Sequence, residues 1–306
     1  MSEKLESLER SGGLFTPSRH STSYEFISPL KLDLNRRHVL VTGTAWETGV
    51  GYATATALAR GGASAIAVAD LHDVPQDLVE RLKLAAKNAG RHEPAVRSFA
   101  VDISSRESVK ALCEAVEQFF SGRLDLVINN AAHMEPNKLL LEADPDVLWR
   151  TWEVNVHGIL NMAREFLPML LASRRSFDGL STMINLSSSG ALSVRSGSIN
   201  YRSSKLAILR LTESIQAEYG DSGLLTFCVN PGAIKTKISE GVAPEEVRDR
   251  FPDRPDMAGD TIVWLAAERK EWLGGRYVSC PWDMEKLLSM KDEIITDDKL
   301  KLRMVF

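Results

Sequence analysis

The stretch that most narrows the fold is residues 38–60. His38-Val-Leu-Val-Thr42 is an apolar run of strand length, Gly43-Thr-Ala-Trp-Glu-Thr-Gly49-Val-Gly51 follows it, and the alanine-rich residues 52–60 read as a helix. A strand that enters a glycine turn and leaves as a helix has few uses. Without Cβ atoms the turn can approach a ligand closely, and the first helical turn offers free N–H groups and a positive dipole end to a phosphate. This is the opening unit of a dinucleotide-binding sheet. The next apolar run, residues 63–69, ends in Asp70. An acid there can accept hydrogen bonds from both hydroxyls of an adenosine ribose and repels a 2′-phosphate, which favours NAD over NADP. It can also serve simply as a turn or helix-capping residue.

The alternation continues along the chain. Residues 78–89, 105–120 and 145–172 read as helices, and residues 95–101, 124–128, 182–186 and 224–229 as strands. The 124–128 run leads into Asn129-Asn130-Ala131-Ala132, and the 224–229 run into Asn230-Pro231-Gly232. Repeated strand and helix predict a parallel sheet with helices on both faces and a ligand crevice at the C-terminal strand ends. Asp70, Asn129, Ser188 and Pro231 all fall at such ends. The 145–172 helix is apolar on more than one face (Leu148, Trp152, Val156, Ile159, Phe166, Leu170), so it is expected either to be fully buried or to give one face to the core and one to a second copy of the chain, as a homodimer or homotetramer.

Tyr201 and Lys205 stand four apart in a helix that starts near Asn200, so they share one face. An ammonium held near a phenol lowers its pKa from about 10. Such a tyrosine can give a proton to a carbonyl oxygen or take one from an alcohol. Ser188 follows the 182–186 strand and can hydrogen-bond the same oxygen, with Ser187 and Ser189 as neighbours that could take its place.

Composition excludes several classes. Apolar residues make up 44% and charged residues 25%, which suits a globular chain with a sizeable core, and a net charge of −4 leaves no basic footprint for nucleic acid. Cys113, Cys228 and Cys280 are unclustered, which predicts neither a disulfide framework nor a metal site. No apolar leader or membrane-length run is present, so a cytoplasmic location is expected. No Gly-x-Ser-x-Gly elbow supports a hydrolase.

Taken together, Thr42-Gly43…Gly49-Val50-Gly51, Asp102-Ile103, Asn129-Asn130-Ala131-Ala132, Asn155-Val-His-Gly158, Ser188, Tyr201-x-x-x-Lys205 and Pro231-Gly232 resemble the short-chain dehydrogenase/reductase family, over residues 36–278. The resemblance implies an α/β single domain with a doubly wound, Rossmann-like parallel sheet of seven strands. It implies a tetrad in which Tyr201 is the acid and base, Lys205 lowers its pKa and holds the nicotinamide ribose, Ser188 positions the reacting oxygen and Asn155 anchors a water. The spacing of thirteen residues to Tyr201 selects Ser188 over its neighbours. Gly43, Gly49, Val50, Gly51, Asp70, Asp102, Ile103, Asn130, Ala131, Pro231, Gly232, Ile234 and Thr236 are implied to bind the cofactor, NAD ahead of NADP, with Asp102 at the adenine. His133 and His157 read as structural or surface residues.

Two flanking stretches, Phe15-Thr-Pro…His20…Tyr24 and Gly274-Gly-Arg-Tyr-Val-Ser…Trp282-Asp283, resemble members from fungal secondary metabolism. The chain departs from the family in three places. Its glycine turn is two residues longer, which sets Ala45-Trp46-Glu47 beside the phosphates; Ala132 replaces a glycine; and the C-terminus lacks Asp-Gly-Gly. The expected layout is an arm over residues 1–35 (1–13 disordered, 14–34 without regular structure), a catalytic domain over 36–283 with a substrate lid at 237–254, and an extension over 284–306. The expected activity interconverts a secondary alcohol and a ketone on a polyketide-like small molecule. An NADPH-dependent ketoreductase and a non-catalytic nucleotide sensor stand beside it.

Overall fold

The computed structural model describes residues 9, 11–240, 245–249 and 251–304. Strands β1 (His38–Thr42), β2 (Ala65–Asp70), β3 (Ala95–Ala100), β4 (Leu126–Asn129), β5 (Thr182–Leu186), β6 (Leu225–Asn230) and β7 (Tyr277–Ser279) form one sheet in the order 3-2-1-4-5-6-7. Every pairing is parallel. Its helices are α1 (Val50–Arg60), α2 (Gln76–Asn88), α3 (Arg106–Phe120), α4 (Pro145–Trp152), α5 (Gly158–Phe177), α6 (Ile199–Tyr219), α7 (Glu245–Arg248), α8 (Pro255–Ala267), α9 (Met284–Ser289) and α10 (Lys291–Thr296). This is the predicted single α/β domain.

The central strands read as unbroken apolar runs because both sheet faces are covered. On β1, Val39 and Val41 pack with Leu58 of α1 and Ile262 of α8, while Leu40 packs with Val109 of α3 and Phe166 of α5 on the other face. The strand order turns outward from β1 in one direction and from β4 in the other, so the crevice opens between their C-terminal ends. At the opposite end, the fully buried Asp125 ties three segments together. It accepts from Arg123 Nε at 2.9 Å, His38 N at 3.0 Å and Leu180 N at 3.2 Å. Burial opposes its charge, but the bonds from Arg123 and His38 outweigh that and hold the carboxyl below the usual range.

The expected 145–172 helix is longer and interrupted. α4 and α5 are joined by a π-helical turn over Glu153–His157, in which Gly158 N donates to Glu153 O, and the rod continues to Phe177. A π-turn accommodates an extra residue within a helix and tends to mark a functional position; Asn155 lies in this one.

The N-terminal arm differs more from expectation. Residues 14–34 contain two short 3-10 turns, Glu25–Ile27 and Pro29–Lys31, and Ile27 and Leu34 are fully buried core residues. Of the stretch expected to be disordered, residues 1–8 and 10 lie outside the described residues. Residues 11–13 are ordered against the core, because Trp282 Nε1 donates to Gly12 O at 2.9 Å and Ser11 is buried. The two flanking motifs prove to be one structure. Phe15 packs on Trp282 with centroids 5.0 Å apart, and His20 stacks on Tyr24 at 3.6 Å while its Nε2 lies 3.0 Å from Asp283 Oδ2. Met284 N donates to Tyr24 Oη at 2.7 Å, and His20 N donates to Pro281 O at 2.9 Å. Beyond them, the extension runs back along the sheet edge, where Tyr277 N donates to Leu300 O at 2.8 Å. A covered edge no longer offers unpaired groups to another chain.

No helix among the described residues is long and apolar enough to cross a membrane.

Trp282 is the keystone of this clasp, fully buried between Phe15 and Tyr277. Trp282→Ala should cost about 3–5 kcal/mol in unfolding free energy, as removal of a large buried side chain does. Urea denaturation with an unchanged midpoint would show that the arm merely rests on the domain.

Candidate active site

The cleft at the C-terminal strand ends has a volume of about 1370 Å³. Its floor is the glycine turn. Gly43 has φ +75°, and a Cβ on it would lie 2.5 Å from Asn130 Nδ2; one on Gly51 would lie 2.2 Å from Gly43 O. The turn can close only because both side chains are absent. Asn130 locks it by donating from Nδ2 to Thr42 O and Gly43 O, each at 2.9 Å. Gly49 caps α1 without a side-chain hydrogen bond, which leaves the helix N-terminus open to an anion. Gly43, Gly49 and Val50 line the cleft, whereas Gly51 stands behind it as the residue that lets the turn pack.

Asp70 lines the same end, 6% exposed. Its Oδ2 accepts from Ala45 N at 2.9 Å and its Oδ1 from His72 N at 3.0 Å, so it also braces the lengthened turn. The turn reading of Asp70 is thus met by these two bonds. The two extra residues place Trp46 at the rim, where Lys237 Nζ lies 5.1 Å from its ring centroid. Asp102, Ile103, Asn130 and Ala131 line the adjacent wall. Burial works against the charge on Asp102, but bonds from Ser104 and Arg150 prevail and hold its carboxyl below the usual range. Arg150 Nη2 donates to Asp102 Oδ2 at 3.1 Å. These groups fit a dinucleotide: an uncapped helix end for the diphosphate and carboxylates toward the adenosine.

The other end of the cleft holds Ser188, Tyr201 and Lys205. Ser187 is buried and donates to Lys205 O at 2.8 Å, and Ser189 is exposed at the edge of the cleft. Ser188 is the serine hydrogen-bonded to Tyr201. Lys205 Nζ lies 5.6 Å from the Tyr201 ring centroid, as the four-residue spacing predicts. Burial sets the electrostatics of the resting pair. Lys205 Nζ donates to Leu186 O at 2.8 Å, and burial lowers its pKa to about 8. Burial pushes the Tyr201 phenol up; the Ser188 hydrogen bond and the Arg202 charge pull it down without overcoming that. Burial penalises charge on both groups, so the phenol is held neutral rather than ionised.

Asn155 does not reach the cleft. Its Oδ1 accepts from His133 N at 2.8 Å, and its Nδ2 donates to His133 O at 2.9 Å and Ser204 Oγ at 3.0 Å. It clamps the wall against α6, so any part in catalysis passes through that wall. His157 is exposed, in keeping with its reading as a surface residue, but His133 lines the cleft.

The residue that sequence reasoning missed is Glu135. It is 2% exposed, and its Oε1 accepts from Asn200 N and Tyr201 N, each at 2.9 Å, while its Oε2 accepts from Thr151 Oγ1 at 2.9 Å. A carboxylate thus caps the N-terminus of the helix that carries Tyr201. Nothing in the spacing signals a cap supplied from a loop so far upstream.

Pro231, Gly232, Ile234 and Thr236 close the cleft on the far side. Ala233 N donates to Asp253 Oδ2 at 2.7 Å, which stitches this turn to the far end of the expected lid. Just before the lid, Lys235 Nζ reaches into it, pairing with Asp249 and, at 3.1 Å, with Glu245. Residues 241–244 and 250 lie outside the described residues.

A family model described as short chain dehydrogenase matches residues 37–247. The chain is 39% identical over 287 residues to short chain dehydrogenase mpl6 of Monascus purpureus, covering 94% of each chain. It is 35% identical over 295 residues to short chain dehydrogenase pigC of Monascus ruber, covering 95% of this chain and 94% of that one. A solved 3-ketoacyl-(acyl-carrier-protein) reductase from Brucella melitensis, complexed with NADH, superposes with a TM-score of 0.68 at 23% identity, covering 81% of this chain and 97% of that one.

The Glu135 cap can be tested by stability. Glu135→Ala leaves two buried N–H groups without their acceptor and should cost about 1–3 kcal/mol. Glu135→Gln keeps an oxygen there and should cost less. Equal, negligible losses in chemical denaturation would refute the cap.

Proposed function

The chain belongs to the short chain dehydrogenases and is an NAD(P)-dependent oxidoreductase, and on that premise we propose that it interconverts a secondary alcohol and a ketone with Tyr201 as acid and base. The observation that carries this reading is the convergence of Ser188, Tyr201 and Lys205 at the end of the cleft away from Asp70. The glycine turn, Asn130 and the α1 N-terminus would hold the dinucleotide, whose nicotinamide supplies or takes the hydride when bound. Ser188 would hydrogen-bond the substrate oxygen. A neutral phenol is in the state that gives a proton to a carbonyl oxygen as it gains negative charge. Lys205, its pKa about 8, then stabilises the phenolate left behind. In the oxidative direction the phenolate takes the alcohol proton, and burial makes that state harder to reach.

We read the cofactor as NAD, supported by Asp70 at the adenosine end and by the NADH bound to the Brucella reductase. We read the substrate as a polyketide-like secondary metabolite. Support comes from the apolar walls at Met134, Leu192, Val194 and Phe251, and from full-length likeness to the Monascus dehydrogenases.

For Asp70→Asn we expect a narrowed preference for NAD over NADP in binding titrations; a wild-type protein that binds NADP as tightly as NAD contradicts the cofactor reading. For Tyr201→Phe we expect turnover to fall by about 10²–10⁴-fold with NAD affinity nearly unchanged. In the wild type, ketone reduction should hold steady through neutral pH, and alcohol oxidation should climb only into the alkaline range. A Phe variant that keeps wild-type turnover, or oxidation that peaks below neutral pH, contradicts the assignment of Tyr201.

A further inference from the structure

His133 stands on the cleft wall between the cofactor turn and α6. Its backbone is clamped on both sides by Asn155. Its ring is fixed as well, because Nδ1 lies 3.1 Å from Thr151 Oγ1, and Thr151 Oγ1 donates to Glu135 Oε2 at 2.9 Å. A hydroxyl has one proton, and here the carboxylate takes it. Thr151 therefore meets the imidazole with a lone pair, so Nδ1 carries the ring proton and Nε2 carries none. Nε2 bonds no described residue and is not sealed in the core. Burial and the Arg150 charge both disfavour a second proton on the ring.

An unpaired ring nitrogen thus stands on a residue that lines the cleft, backed by a hydroxyl and a buried carboxylate. That carboxylate also bonds the Tyr201 N–H at 2.9 Å, which places the His133 ring beside the base of the reacting helix. We propose that His133 is a specificity-determining residue whose Nε2 accepts a hydrogen bond from a hydroxyl on the substrate, near the carbonyl addressed by Tyr201 and Ser188. Resting on the ketone reading above, it narrows the substrate to hydroxylated ketones. Selection follows because a bound ketone that covers Nε2 without offering a donor leaves that acceptor unpaired, which is costly.

The test is titration calorimetry of the NAD-loaded protein with aryl ketones that carry a ring hydroxyl at the ortho, meta or para position, each matched with the ketone lacking it. At least one hydroxylated ketone should bind about 10-fold more tightly than its match, the effect of one well-made hydrogen bond. His133→Phe should abolish that preference and leave NAD affinity unchanged. Thr151→Val, which frees the ring tautomer, should weaken the preference, and Thr151→Ser should retain it; this pair carries the test should His133→Phe fail to fold. The proposal is overturned if no hydroxylated ketone outbinds its match, if the preference survives in His133→Phe or Thr151→Val, or if His133→Phe weakens NAD as much as ketone. Turnover with NADH as the hydride donor, measured alongside, separates the two claims. A His133-dependent preference without reduction of any ketone supports this assignment and counts against the proposed reaction, whereas reduction without preference overturns this assignment alone.

Discussion

The N–H groups of Asn200 and Tyr201 end on a carboxylate that almost no solvent reaches. That contact governs the geometry of the cleft. Glu135 is fixed by Thr151, Thr151 meets His133, and the His133 backbone is gripped by Asn155 from within a π-turn. Asn155 then returns to α6 through Ser204, which donates to Tyr201 O at 2.8 Å. The loop after β4, the α4–α5 rod and the helix bearing Tyr201 are therefore one hydrogen-bonded unit. A network of this kind is stable only when all its members are satisfied, and then it holds one arrangement.

The same burial that makes those bonds strong opposes charge on the reacting groups. Lys205 moves down and Tyr201 moves up for one reason, the loss of water around each. Ser188 and Arg202 offset part of the effect on the phenol but do not reverse it. A neutral phenol still carries the proton it could give up, and burial makes the phenolate harder to form.

Much of this was legible in the chain. Strands buried on both faces must read as apolar runs, so the sheet and its ligand-bearing end followed from the runs around Val39, Val127 and Phe227. Four-residue spacing placed Tyr201 and Lys205 together. Spacing could not say that the Lys205 ammonium would turn to Leu186 O, because sharing a helix face does not choose between two acceptors. Glu135 was invisible for a related reason: a contact between distant segments has no period to betray it. The arm misled because residues 14–34 lack periodicity, yet Ile27 and Leu34 are fully buried. Its partner is the Trp282 region at the far end of the chain, and only the fold joins them.

The central claim is that burial at the base of α6 holds Tyr201 as a neutral acid. Carbon NMR of protein labelled at tyrosine Cζ, with Tyr201→Phe to assign the signal, measures that state directly. The resonance of Tyr201 in the cofactor-free protein should keep its phenol position past the pH of about 10 at which free tyrosine ionises. A phenolate signal at neutral pH would contradict the account.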